Sequence, residues 1–205
     1  MEARSLPTLD LRLPGLSIRS RAWRGRFPEE WNLDIDVCPG NECGRAFSVK
    51  VFLGRPPYRA WAEVHSVVRP ELMLGAVEDH VIGVLSSWLR PGETLYFEYV
   101  WDPITTRELE LGVPPQASRL GYKLLMHGFT WMKDWYYPEG FMEGSPKLQA
   151  EKPLSPGHGR RHLLGLLGEV ERALSRRSLL PGGAVSRLLG LRGIIGALYN
   201  TGSEA

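Results

Sequence analysis

Long apolar runs are missing from this chain. No stretch approaches the roughly 18 to 20 residues needed to span a bilayer, and the opening segment MEARSLPTLDLRLPG lacks the apolar centre of a signal peptide. A soluble, cytoplasmic protein with no membrane span is therefore the expectation. Charge of one sign is also lacking: the formal net charge of +2 argues against a general nucleic-acid coat protein. Asn and Gln are scarce, Arg far outnumbers Lys, and there are 16 prolines. Few thermolabile amides and stiff loops suit a protein that works hot, although a GC-rich genome produces the same bias. Repeats and low-complexity tracts are absent as well. No Gly-x-Ser-x-Gly elbow supports a hydrolase. His65, His80 and His127 share no metal-binding spacing, and His158 and His162 sit too close together for a metal claim.

Cysteine is limited to Cys38 and Cys43, which bracket Pro-Gly-Asn-Glu between two strand-like runs. A hairpin loop of that length places them at bridging distance. Free thiols and a hairpin disulfide both fit the sequence. Half of a zinc site would need a matching second pair that the chain does not supply.

What the chain does have is a clear succession of periodicities. With 205 residues, 43% hydrophobic and 23% charged, it can bury a real core. LSIRSRAW (16–23), WNLDIDV (31–37), RAFSVKVFL (45–53) and residues 58–68 alternate or are β-branched, which predicts an antiparallel meander after an irregular lead-in over 1–14. Residues 74–89 repeat apolar side chains every three to four positions and stop at Arg90-Pro91-Gly92, a helix. A strand over 94–102 follows, then a loop over 103–115 with a short helical turn at best, and a helix over about 116–129. The aromatic segment 129–141 reads as a strand and a turn, and 147–153 as a further strand. Beyond Ser155-Pro156-Gly157 the composition shifts to two Leu-rich basic helices, about 160–177 and 184–199. The fold class is α+β with a mixed, mainly antiparallel sheet. The division is a domain over 1–153 and a helical extension over 154–205. That extension would dock on the domain or on a second subunit, making a homo-oligomer; nucleic-acid or membrane-surface binding is the lesser use.

This order of elements resembles the GNAT family of N-acetyltransferases over roughly residues 16–153. VVRPELMLGA (67–76) is similar to that family's Val-Val-x-Pro-Glu approach to its coenzyme A loop, and ASRLGYKLLMHGF (117–129) to its second helix, with Tyr136-Tyr137 ending the next strand. The run WMKDWYYPEGFMEG, with SRLG before it, also resembles an uncharacterised archaeal and bacterial family assigned to the same fold. The resemblance implies acetyl-CoA or another acyl-CoA as cofactor and acyl transfer to an amine on a small molecule or protein.

A pyrophosphate needs several backbone N–H donors and the positive end of a helix dipole. Two loops qualify. The first carries Val68, Arg69, Gly75 and Ala76 and is favoured by topology, although Glu78 and Asp79 in its first turn would repel phosphate. The second carries Ser118, Arg119 and Gly121 and is favoured by charge. Amine acylation needs a base, and Glu98 and Asp102, on one side of strand 94–102, are the candidates. By resemblance Tyr136 or Tyr137 would return a proton to the thiolate. Trp131, Asp134, Trp135 and Glu139 would line a pocket for a cationic substrate. The plainer alternatives are strand-to-helix turns, an ion-paired Glu98 and an amphipathic strand. For the whole chain the alternative is a non-catalytic binding or assembly module with an eroded cofactor loop.

Overall fold

β-branched and aromatic residues with a period of two dominate the first half, and the computed structural model places them in strands. It describes residues 4–55, 57–73, 75–136 and 146–201. Residues 1–101 and 102–205 form two compact units.

The first unit is a six-stranded mixed sheet in sequence order: β1 (Leu11–Leu13), β2 (Leu16–Arg24), β3 (Glu30–Pro39), β4 (Gly44–Phe52), β5 (Trp61–Val67) and β6 (Thr94–Phe97). The first five pair antiparallel, and β6 runs parallel to β5. Parallel pairing requires a crossover, and α1 (Ala76–Trp88) supplies it. Its Val77, Val81, Ile82 and Leu85 face a core shared with Leu33, Ile35, Val37, Phe47 and Val49. Gly75 caps α1 at φ 65°, where a side chain would be strained.

Two expectations change here, and one open choice closes. The lead-in is irregular over residues 4–10 but ends in β1, which pairs with β2; Asp10 accepts the Ser20 amide at 2.8 Å, and the Trp88 indole donates to the Ser5 carbonyl at 2.8 Å. Cys38 and Cys43 form a disulfide across the β3–β4 turn. The sixth strand ends at Phe97 rather than 102, where the chain bends at residues 98–99.

In the second unit, the segment 103–115 was expected to be a loop, yet it holds the helix α2 (Pro103–Glu110). A 3-10 turn, Pro115–Ala117, leads into α3 (Arg119–Met126), three residues later than expected because Ser118 caps it. The strands β7 (Trp131–Tyr136) and β8 (Pro146–Glu151) pair antiparallel. The single helix expected over 160–177 is two, α4 (Pro156–Gly165) and α5 (Leu167–Ser175), separated at Leu166 after Gly165. The last helix, α6 (Gly182–Asn200), buries Ala184, Leu188, Leu191 and Ile195 within this unit. The composition shift near 153 thus falls inside the second unit rather than at its edge. Both units together make an α+β chain, and no helix among the described residues is long and apolar enough to cross a membrane.

Candidate functional site

At the carboxyl end of β5 the sequence placed its first cofactor loop. The parallel pairing of β5 with β6 runs from Trp61↔Thr94 to Val64↔Phe97, and the Glu98 amide adds one more bond to the Val64 carbonyl at 2.9 Å. Beyond this point β5 continues to Val67 while β6 has ended, so the two backbones part. The opening is occupied. The Tyr99 hydroxyl accepts the Val67 amide at 2.8 Å and donates to the Val67 carbonyl. Burial raises the Tyr99 phenol above its ordinary pKa, which keeps that proton in place. The next two amides, Val68 and Arg69, both donate to the Ala46 carbonyl, at 2.8 and 3.0 Å. The Arg69 guanidinium pairs with Glu71 at 2.8 Å. Gly75 and Ala76 begin α1, whose buried Glu78 receives the Trp101 indole N–H at 3.2 Å.

Glu98 finds no Arg or Lys to pair with among the described residues. Its charge instead acts on His65 of β5, a half-buried imidazole whose Nε2 has no hydrogen-bond partner among the described residues. His65 is held below its usual pKa by burial first and Lys50 second, with Glu98, Asp34 and Glu30 pulling upward. Sequence spacing gave no reason to join His65 to Glu98. The parallel pairing brings them together.

The second loop is a closed polar network inside the second unit. Asp102 is buried and caps α2: Oδ1 accepts the Ile104 amide at 3.0 Å, while Oδ2 accepts the Thr105 amide at 3.2 Å, the Thr105 hydroxyl and the Arg119 Nε at 2.6 Å. Every N-terminal amide of α3 has a partner. Arg119 N donates to the buried Glu108 carboxylate at 2.7 Å, Leu120 N to Thr105 Oγ1 at 3.0 Å, Gly121 N to Ser118 Oγ at 3.1 Å and Tyr122 N to the Ser118 carbonyl at 2.8 Å. Gly121 is a glycine for packing, since an added Cβ would lie 1.7 Å from the Pro115 carbonyl oxygen. Glu108 also receives the Arg187 guanidinium, whose Nε reaches the Ala117 carbonyl at 2.9 Å. A largely apolar pocket of about 520 Å³ lies beside these pairs, lined by Ile104, Arg107, Glu108, Arg119, Pro181 and Arg187. Glu108 went unrecognised because its helix did. Asp102-Pro103, a cap followed by Pro at the first helical position, was the signal.

The aromatic strand divides its expected substrate set. Alternation puts Asp134 and Tyr136 on one face of β7 and Trp131, Lys133 and Trp135 on the other, so the two tryptophans do not join Asp134. Tyr137 and Glu139 lie outside the described residues. Burial, with Asp134 and Glu110 nearby, pushes the Tyr136 phenol up to about 12. Asp134 is itself raised by burial, more than its own amide and Lys133 offset. It lines a second pocket of about 290 Å³ together with Val113, Pro115 and the α5 side of the unit, where Glu169, Arg172 and Arg176 stand. Among the described residues no group of three or more His, Cys, Asp or Glu side chains converges where a metal ion could sit.

Comparison with known proteins adds a family without adding an activity. The model of a family described as a protein of unknown function, DUF1122, matches residues 15–177. A crystal structure of a protein of unknown function from Aquifex aeolicus VF5 aligns with a TM-score of 0.76 at 36% identity, covering 92% of this chain and 95% of that one. No curated protein matches the chain.

Proposed function

The chain belongs to the DUF1122 family of proteins of unknown function, and from that premise we propose that it is a non-catalytic binding module, acetyltransferase-like in its order of elements and closed at both cofactor loops. One observation carries this reading. The backbone amides that pantetheine would use at the end of β5, and those that a pyrophosphate would use at the start of α3, are already donated within their own units. Val67 gives to Tyr99, Val68 and Arg69 to Ala46, and the first four amides of α3 to Glu108, Thr105 and Ser118. Exchanging those bonds for bonds to a phosphate gains little, because a buried acceptor would be left unpaired each time. Asp102, with its oxygens engaged by two amides, a hydroxyl and a guanidinium, is poorly placed to take a proton from an amine.

Acetyl-CoA titrated to millimolar concentration tests the reading. A ligand at a hundred times its Kd stabilises the native state by about 2.7 kcal/mol, which a melting curve resolves. No shift is expected. A saturable rise in melting temperature would overturn the closed-loop reading.

The parting of β5 and β6 and the placement of Glu98 beside His65 favour a second reading, acyl transfer to an amine from acetyl-CoA or another acyl-CoA. Under it Glu98→Gln would abolish acetyl-CoA consumption in the presence of an amine while leaving cofactor binding intact. Unchanged turnover in that variant would clear Glu98 of the role. Self-association through the strip of α6 bearing Leu189, Gly193 and Gly196 belongs to the first reading, and sedimentation of the purified chain decides it.

A further inference from the structure

Four charged side chains line the smaller pocket of the second unit, two of each sign, yet they do not neutralise one another. Asp134 stands on β7. Glu169 and Arg172 stand three apart on α5, and Arg176 follows at its C-cap, four residues on. None of the four takes part in an ion pair within 4.0 Å among the described residues. Gly112, at φ 75°, ends the turn after α2, and an added Cβ there would lie 3.0 Å from Arg176 Nη2, so the guanidinium lies close over this glycine. Arg172 and Arg176 are one helical turn apart, and like charges at that spacing repel unless an anion lies between them. Asp134 is half-buried with no ion pair within 4.0 Å among the described residues, and burial outweighs the help it receives from its own amide and Lys133, so a further positive group would be favoured there.

We propose that this pocket binds a small zwitterion, with its carboxylate between the guanidiniums of Arg172 and Arg176 and its ammonium against the carboxylates of Asp134 and Glu169. The volume of about 290 Å³ sits at the small end of ligand pockets, which suits a compound of amino-acid size rather than a nucleotide. Val113 and Pro115 supply an apolar wall for a short side chain or methylene spacer. Two guanidiniums on one carboxylate give charge-assisted hydrogen bonds with directional specificity, which a lone lysine would not. The inference goes beyond the binding-module reading. It rests on residues that neither cofactor loop uses, and acetyl-CoA plays no part in its test.

The full chain is titrated with glycine, L-alanine, β-alanine and L-glutamate, and separately with acetate and with ethylamine, following amide chemical shifts and melting temperature. At least one zwitterion is expected to bind saturably at millimolar concentration or below, shifting the amides of Val113, Asp134 and Arg172. Acetate and ethylamine at the same concentration should bind at least about tenfold more weakly, since each lacks one charge-assisted contact. Asp134→Asn and the exposed pair Arg172→Gln/Arg176→Gln should each weaken the zwitterion by about tenfold or more while the unliganded melting temperature stays near that of the parent. Acetate binding as tightly as the zwitterion would overturn the proposal, because an anion site would then suffice. So would undiminished binding by the arginine variant, shifts mapping elsewhere, or no saturable binding by any of the four zwitterions.

Discussion

Asp102 holds two helices at once. Its carboxylate caps the first turn of α2 and receives the Arg119 guanidinium from the first turn of α3, all with a side chain only 3% exposed. Asp102→Ala removes the cap and leaves Arg119 facing a buried void. A broken buried pair costs about 3–5 kcal/mol, so the variant's free energy of unfolding, read from urea titration, should fall by about that amount. Asp102→Asn keeps one acceptor oxygen for a capping amide and fills the same space, so it should lose less. An alanine variant as stable as the parent would mean that this carboxylate serves something other than the fold. His65 acts through pH instead. Its imidazole is held neutral by burial and Lys50, so the unfolded chain, with the ordinary value of 6.5, takes up its proton first as the pH falls. Stability is therefore complete above 6.5 and is lost as the pH drops from there toward the lower folded value. His162 shifts in the same direction through burial and the neighbouring His158 ring, 4.2 Å away. Asp134, raised by burial, works oppositely and at lower pH. Unfolding titrations just below pH 6.5 should show a downward slope that His65→Gln flattens without abolishing. An unchanged slope in that variant would assign the effect to His162 and the other groups.

Individual elements differ in how much the chain announces them. β2 to β5 were legible because alternating side chains faced one core, as Leu33, Ile35 and Val37 do, and α1 was legible from its apolar repeat. The turn between β3 and β4 was legible in length but not in chemistry: four residues between cysteines allow a bond without requiring one. That bond closes a short loop, so its entropic contribution is modest, about 2 kcal/mol. Cys38→Ser/Cys43→Ser, or reduction of the parent, should lower stability by about that much and leave the β3–β4 register intact. A loss of the whole first unit on reduction would show that the hairpin has no independent support. α2 escaped notice because its mean composition is polar and its apolar positions are few. Only its cap and its Pro at the first position mark it. The break between α4 and α5 escaped because Leu-rich periodicity continues through Leu166, while Gly165 and a tightened bond from Leu166 N to the Leu163 carbonyl divide it. The candidate site was less legible than the fold. A residue type marks a possible donor, but whether the amides of Arg119 and Leu120 are spent inside the molecule depends on Glu108 and Thr105, which share no pattern with them.

Across the whole chain, the basic tail is where sequence and structure bear most directly on each other. Seven arginines in residues 155–205 read as a surface for docking, yet two of them turn inward within the second unit: Arg160 donates to the Leu198 carbonyl at 2.6 Å, and Arg187 meets the buried Glu108 and the Ala117 carbonyl. The apolar face of α6 is used there too, through Ala184, Leu188, Leu191 and Ile195, each fully buried. Removing residues 182–205 would leave the Glu108 carboxylate buried without its cation and would uncover apolar side chains of α5, among them Val170 and Leu174. Each fully buried Leu or Ile that is lost removes about 1.5–3 kcal/mol, and three of them together are comparable to the whole margin of an ordinary domain. The truncated chain should therefore lose protease protection between residues 102 and 181 while the strands of residues 11–97 stay protected, read by mass spectrometry of limited digests. Arg187→Ala alone should weaken the same region by a smaller step. Full protection of residues 102–181 after truncation would make α6 a detachable arm, and its buried face would then have to belong to an interface with another molecule.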